Sequence, residues 1–324
     1  MKKLPFNAMV QKSRGAGIVQ RVVAIDWSGD RSTSGQKRKI WAAVWSASAC
    51  GRVYGGRITL ESGGTREEVC DWLIAMARET PRMVVGVDFC FSYPAWFVAE
   101  HGARSAPEFW QIVVERGEHW LNRECEDARF WGRNGPARDG KTPAEFSGEG
   151  RVRMFRLADL ACKVKGKILD PANAEAVKGI APKSPFQIGG AGAVGTGTLR
   201  GIPILHRLRQ AGFRIWPFDA SGLSDGRPLL VEIYPRLLTG EVKKGDADER
   251  RKYLARRRRQ SAAYASLARE VVAKAQQGED AFDALVSVME MAARREDFLR
   301  LKQATDAITL VEGSVWGAGA QALE

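Results

Sequence analysis

The sequence predicts an α/β protein, a mixed sheet flanked by helices with a large helical and irregular insertion. Three observations carry that expectation. Short β-branched runs alternate with stretches of helical spacing; residues 20–88 read strand, strand, strand, helix, strand; and the first and last of those strands each end on a carboxylate. With 324 residues, 44% of them apolar, the chain is long enough to bury a substantial core without disulfides or structural metal.

The first element, Gln20 to Ile25, is rich in β-branched residues and ends in Asp26-Trp27-Ser28-Gly29, an acid followed by turn chemistry. Two further β-like runs, Lys39 to Ala49 and Arg52 to Leu60, are separated by Cys50-Gly51. Thr65 to Glu79 places Val69, Trp72, Leu73 and Met76 on one helical face, and Met83 to Val87 is a strand ending on Asp88. From Pro94 to about Gln187 aromatic residues mix with Gly/Pro/Arg-rich segments such as Trp131 to Gly140, which predicts helices joined by long connections. Regularity returns with an amphipathic helix over Thr198 to Ala211, β-like runs at Phe213 to Phe218 and Leu229 to Tyr234, and a Pro235 stop. Asp246 to Gln276 is helical in composition and carries Arg256-Arg257-Arg258-Arg259; Gly278 breaks it, and Glu279 to Arg294 forms the next helix. Ile308 to Trp316 reads as an extended end. The expected organisation is a polar leader at 1–19, one domain at 20–317 with an insertion at about 94–197, and a tail at 318–324.

Charge narrows the function classes. Fifty Lys and Arg against 38 Asp and Glu give a formal charge of +12, which favours an anionic partner such as nucleic acid or nucleotide. Cys50, Cys70, Cys90, Cys125 and Cys162 are dispersed and contain no Cys-x-x-Cys pair, so neither a disulfide framework nor a zinc knuckle is supported. His101, His119 and His206 lack ligand spacing. Met1 to Gly17 is basic without the apolar centre of a signal peptide, and no apolar run approaches the roughly 18 residues of a membrane span. The expectation is a cytoplasmic protein with no membrane partner.

The acids stand at structural punctuation points: Asp26 and Asp88 at strand ends, Glu232 inside the apolar run Val231-Glu-Ile233, and Asp280 with Asp283 three residues apart on one face of the late helix. A carboxylate among Val, Leu and Ile is costly to desolvate unless it is paired, protonated or bound to a cation. Converged, such acids form an oxygen-rich site for Mg²⁺ or Mn²⁺, whose chemistry is metal-assisted phosphodiester hydrolysis. Each also has a plainer role, as an Asx-turn, helix-capping or outward-facing strand residue.

These residues carry a resemblance. The strand order with Asp26 and Asp88, and the Asp280-Ala-Phe-Asp283-Ala-Leu helix, resemble the ribonuclease H-like fold and its RuvC-like nucleases. Val23-Ala-Ile-Asp26-Trp-Ser-Gly29, Pro182-Lys-Ser-Pro-Phe-Gln187, Val231-Glu-Ile-Tyr-Pro235 and Val311-Glu-Gly-Ser-Val-Trp316 resemble domain of unknown function family 429, described as predicted nucleases, over roughly Arg21 to Gly317. The resemblance implies a metal-dependent nuclease: Asp26 as bridging ligand, Asp88, Asp280 and Asp283 as further ligands, and Glu232 as ligand or water-orienting acid. RuvC-like nucleases usually carry Glu where this chain has Asp88.

Gly190, Gly192 and Gly195 form a Gly-x-Gly-x-x-Gly that does not follow a clear strand, so it reads first as a connection and second as an amide cradle for phosphate. Lys183 and Arg200 beside it, and Arg256 and Arg257 in the arginine run, are candidate phosphate contacts, although the run reads most simply as a solvated helix face. Two other functions fit the same residues. One is a nucleotide-dependent phosphotransferase or ATPase of the related actin-like fold; the other is a noncatalytic nucleic-acid-binding module.

Overall fold

The computed structural model describes residues 19–47, 56–122, 127, 129–132, 153–165, 183–190 and 193–317. Expectations for residues 1–18, 48–55, 133–140, Cys125, Gly192 and 318–324 lie outside them.

Six strands form one mixed sheet. In chain order they are β1 (Arg21–Asp26), β2 (Trp41–Ser46), β3 (Arg57–Ser62), β4 (Met83–Val87), β5 (Arg214–Ile215) and β6 (Leu229–Glu232), lying in the order β3-β2-β1-β4-β6-β5. The first three pair antiparallel, whereas β4 pairs parallel to β1 and to β6, and β5 parallel to β6. The apolar run Val22–Ile25 of β1 is fully buried because helices cover both faces of the sheet there. Alternation divides its side chains: Val23 and Ile25 enter one core with Val85 and Val87 of β4, while Val22 and Ala24 enter the other with Val84.

The first core is filled by α2 (Arg66–Glu79), α4 (Ala106–Trp120) and α6 (Gly195–Gln210). Thr65 and Glu68 close a reciprocal capping box at the start of α2, and Val69, Trp72, Leu73 and Met76 are its buried residues, as their spacing predicts. Aromatics of the expected insertion pack here with Tyr93 just ahead of it: Tyr93, Phe97, Phe109, Trp120, Phe130 and Phe186 form one edge-on and stacked cluster. The second core is covered by α8 (Ala247–Gln260), α10 (Arg269–Gln277) and α11 (Glu279–Ala293). α11 lies across β1 and β2, and Gly86 in β4 meets it so closely that a Cβ there would stand 2.7 Å from Met291 Sδ. Each buried Phe, Leu or Val on such a face contributes about 1.5–3 kcal/mol.

Several elements differ from the sequence expectation. α1 (Thr33–Lys39) follows the first strand, started by Ser32, whose hydroxyl accepts from Gly35 N; it presents no apolar stripe that periodicity could detect. The run Phe213 to Phe218 yields only the two-residue β5, since the backbone turns back at once with Asp219 N donating to Ile215 O. Asp246 to Gln276 folds as three helices, α8, α9 (Ala262–Ala265) and α10, separated at Ser261 and Ala268. A straight helix over that stretch would run more than ~40 Å, about twice the length of a six-residue strand. The breaks let Leu254, Tyr264 and Val271 all face the sheet. Ile308 to Trp316 contains the single turn α12 (Thr309–Glu312) and is strand-like only where Val315 bridges Glu232. Among the described residues no helix is long and apolar enough to cross a membrane.

Candidate carboxylate centre

β1 and β4 run parallel, so their C-terminal ends emerge side by side, and Asp26 and Asp88 both leave the sheet toward α11. Trp27 N donates to Asp88 Oδ1 at 2.6 Å, tying the two strand ends together. α11 brings Asp280 and Asp283 to the same place from above. Burial pushes the carboxyl of Asp26 well above the ordinary carboxylate range, and the charges of Asp88, Asp283 and Asp280 push it further. Asp88 is raised by burial and by Asp283. Asp283, 1% exposed, is raised by burial to about 6 even though Lys244 opposes the shift. Asp280, at the rim, is raised by burial and by Glu279. Like charges confined together oppose ionisation, and the arrangement is relieved by protonation or by a cation.

Lys244, which sequence reasoning missed, supplies the nearest positive charge: its Nζ pairs with Asp283 Oδ2. The other oxygen, Asp283 Oδ1, is buried without a hydrogen-bond partner. Asp283 Oδ1 lies in a buried group of acids that act on one another's charge, a donor chemistry suited to a hard divalent cation with Asp26, Asp88 and Asp283 as holders, although among the described residues only Cys90, Asp159 and Glu232 bring three such ligand atoms within 4.8 Å of one another.

Glu232 does not join this set. It is 3% exposed and points to the opposite face of the sheet, where Arg156 Nη1 and Nη2 reach its two oxygens at 2.8 and 2.5 Å and Phe91 N donates at 2.9 Å. Arg156, wholly buried, also binds Asp159 through Nε and Nη2, and its Nη1 donates to Glu312 O. Burial works to lower the Arg156 pKa, but Asp159 and Glu232 hold it well above its ordinary value, so the cluster is ionic. Arg153 pairs with the buried carboxylate of Glu312, which also accepts from Ala95 N and Leu157 N. Cys90, Asp159 and Glu232 bring ligand atoms within 4.8 Å of one another, yet the guanidinium already occupies both carboxylates, so this second group does not fit a metal. Arg156 and Asp159 lie beyond what sequence could flag: they sit in the irregular stretch and carry no motif.

A cavity of about 620 Å³ opens beside the centre, lined among others by Asp88, Lys244, Asp159, Glu232, Lys183 and Gly197 of α6. Gly29 makes the approach of α6 possible, since a Cβ there would lie 2.6 Å from Gly197 N and from Thr196 C. The turn after β1 is held by arginines: Arg66 Nη1 donates to the carbonyls of Ser28 and Asp30, and Arg200 Nη1 to that of Gly29. Arg200 also pairs with Glu118, so this candidate phosphate contact is engaged in holding the turn. Lys183 is exposed on the cavity wall, as a phosphate contact requires. Arg257 pairs with Glu290 and lies over the Tyr264 ring, while Arg256 is exposed above Tyr253. Gly195 is the first residue of α6, and among the described residues 183–190 no strand of the sheet leads into it, which does not match a dinucleotide fingerprint; Gly192 lies outside the described residues. The chain matches no protein-family model, no curated protein and no solved structure.

Proposed function

We propose that this protein is a divalent-metal-dependent nuclease of ribonuclease H-like fold, acting on nucleic acid through Asp26, Asp88 and Asp283. The observation that carries the reading is that carboxylates from the ends of two parallel central strands and from a covering helix lie near enough to act on one another's charge, with Asp283 Oδ1 left without a partner. Strand order β3-β2-β1-β4-β6, with the first three antiparallel and the rest parallel, supports the fold assignment. The net charge of +12 supports a polyanionic substrate.

Mg²⁺ or Mn²⁺ held by these acids would lower the pKa of a water and stabilise charge on a phosphodiester. Asp26 and Asp88 supply fixed oxygens from the rigid sheet, and α11 sets Asp283 opposite them. Water adds to phosphorus as the bond to the leaving sugar oxygen breaks, giving a phosphate monoester end and a hydroxyl end. Lys183 faces the cavity where a phosphate of the substrate would lie. Asp280, more open at the start of α11, is an outer contributor, and Glu232 anchors the fold rather than the reaction.

The test is a Mg²⁺ and Mn²⁺ titration by calorimetry of wild type beside Asp26→Asn/Asp283→Asn, with labelled DNA and RNA incubated in parallel. Metal binding and cleavage that both vanish in the variant support a nuclease centre; cleavage that survives removes these acids from it. The cavity beside the N-terminus of α6 favours, as a second reading, a nucleotide-dependent phosphotransferase. That reading requires a thermal shift with nucleotide plus Mg²⁺.

A further inference from the structure

We infer that Lys244 is a built-in counter-ion of the carboxylate centre, occupying Asp283 until a divalent cation displaces it. The inference rests on the centre being a cation site.

The loop that carries Lys244 is fixed at several points. Arg250, 5% exposed, donates from Nη1 to Lys244 O at 2.5 Å and from Nε and Nη2 to Gln276 O at 3.1 and 2.9 Å. Gln276 lies just ahead of α11, so one buried guanidinium joins the Lys244 loop to the start of the helix that carries Asp280 and Asp283. Lys244 N donates to Val242 O, and Arg236 Nη1 donates to the same carbonyl at 2.6 Å. The backbone is thereby held while the side chain, 37% exposed, keeps access to the cavity.

The ammonium is placed where a cation belongs and is still free to leave. It pairs with Asp283 Oδ2, and its charge also acts on Asp26, Asp88 and Asp280, so every member of the centre feels it. An ammonium is a compact charge on a flexible stem, unlike a guanidinium locked by its planar fork. Arg156 illustrates the contrast: on the other face of the sheet it is immobilised by carboxylates on two sides. Lys244 makes a single ionic contact and borders open space, so it can turn toward the cavity when a metal takes Asp283. There it would face the anionic substrate rather than the acids.

Removal of the competing charge predicts that Lys244→Met binds Mn²⁺ more tightly than wild type, on the order of tenfold. The full-length chain is titrated with Mn²⁺ alone by calorimetry, and its melting temperature is read in EDTA and in saturating Mg²⁺. The expected result is tighter binding, a lower melting temperature in EDTA because the acids have lost their counter-ion, and recovery of that loss in Mg²⁺. Damage to the structure alone would weaken metal binding, so the sign separates the two explanations. Lys244→Gln serves if the methionine variant does not fold. Equal affinity in wild type and variant leaves the nuclease reading standing and overturns this inference. Binding by the variant alone makes Lys244 a permanent occupant that no divalent cation displaces, which overturns both this inference and the metal-dependent reading. Absence of binding in both overturns the two together.

Discussion

Val87 and Glu232 are register partners across β4 and β6, so their side chains leave the sheet on the same side, the side away from Asp88. This one pairing separates the acids into two groups with different tasks. Asp26, Asp88 and Asp283 meet under α11 with a single lysine among them, whereas Glu232 meets Arg156 in a wholly buried network.

Neutralising Glu232 is therefore expected to cost stability and spare the carboxylate centre. Arg156→Met leaves the Glu232 and Asp159 carboxylates buried without their partner and destabilises the protein by about 3–5 kcal/mol. Glu232→Gln lowers the urea midpoint while leaving Mn²⁺ affinity within about twofold of wild type, since it lies outside the donor set. A large loss of Mn²⁺ affinity in Glu232→Gln would return that residue to the centre.

Loss of charge inside the centre acts in the opposite direction. In EDTA, Asp26→Asn removes the repulsion that Asp26 shares with Asp88 and Asp283, and the folded state gains on the order of 1 kcal/mol. The same variant loses the stabilisation that Mg²⁺ confers on wild type. Thermal melts with and without metal report both effects.

The metal-free protein is expected to be more stable in mild acid than at neutral pH. Asp283 keeps its proton to about pH 6 in the folded chain, against 3.8 ordinarily. Its contribution is fully present below the ordinary value and is lost as pH rises through about 6. The change is on the order of 3 kcal/mol. Saturating Mg²⁺ reverses the trend, because a cation binds the ionised acids. Denaturation midpoints between pH 4 and 8 in EDTA test this, and a flat profile would remove Asp283 as a strained carboxylate.

Gly29→Ala should unseat α6. The added methyl meets backbone on the neighbouring helix, Gly197 N and Thr196 C, rather than a side chain able to swing aside. A loss of about 1–3 kcal/mol in urea unfolding is expected. A variant as stable as wild type would mean that α6 shifts freely.

The arginine run divides between support and contact. Arg256 and Arg258 are exposed, so Arg256→Gln/Arg258→Gln should leave stability unchanged and reduce the salt slope of nucleic-acid binding by about 2. Arg257→Gln breaks the pair with Glu290 and should act through stability instead. An unchanged salt slope in the double variant would detach α8 from the substrate.

The sheet was legible where alternation and capping agreed, from β1 through β4, and α11 announced itself by apolar spacing behind two acids. The membership of the centre was legible only in part. Asp26, Asp88 and Asp283 stand at strand ends and on a core-facing helix, positions that local pattern reveals. Glu232 is as apolar in its surroundings as they are, and only strand pairing shows which face it takes. Lys244 sits in a polar loop of Lys and Gly with no periodicity, and Arg156 finds its partners 76 and 156 residues away. Such contacts are invisible to any local window.

The carboxylates stand at positions 26, 88 and 283, so the site has no local precursor in the growing chain. At ~5–20 residues per second, on the order of ten seconds or more of synthesis separate Asp88 from Asp283 on the ribosome. Until α11 emerges, β1 and β4 carry two acids and no third. The three acids can thus come together only after all six strands of the sheet have been synthesised.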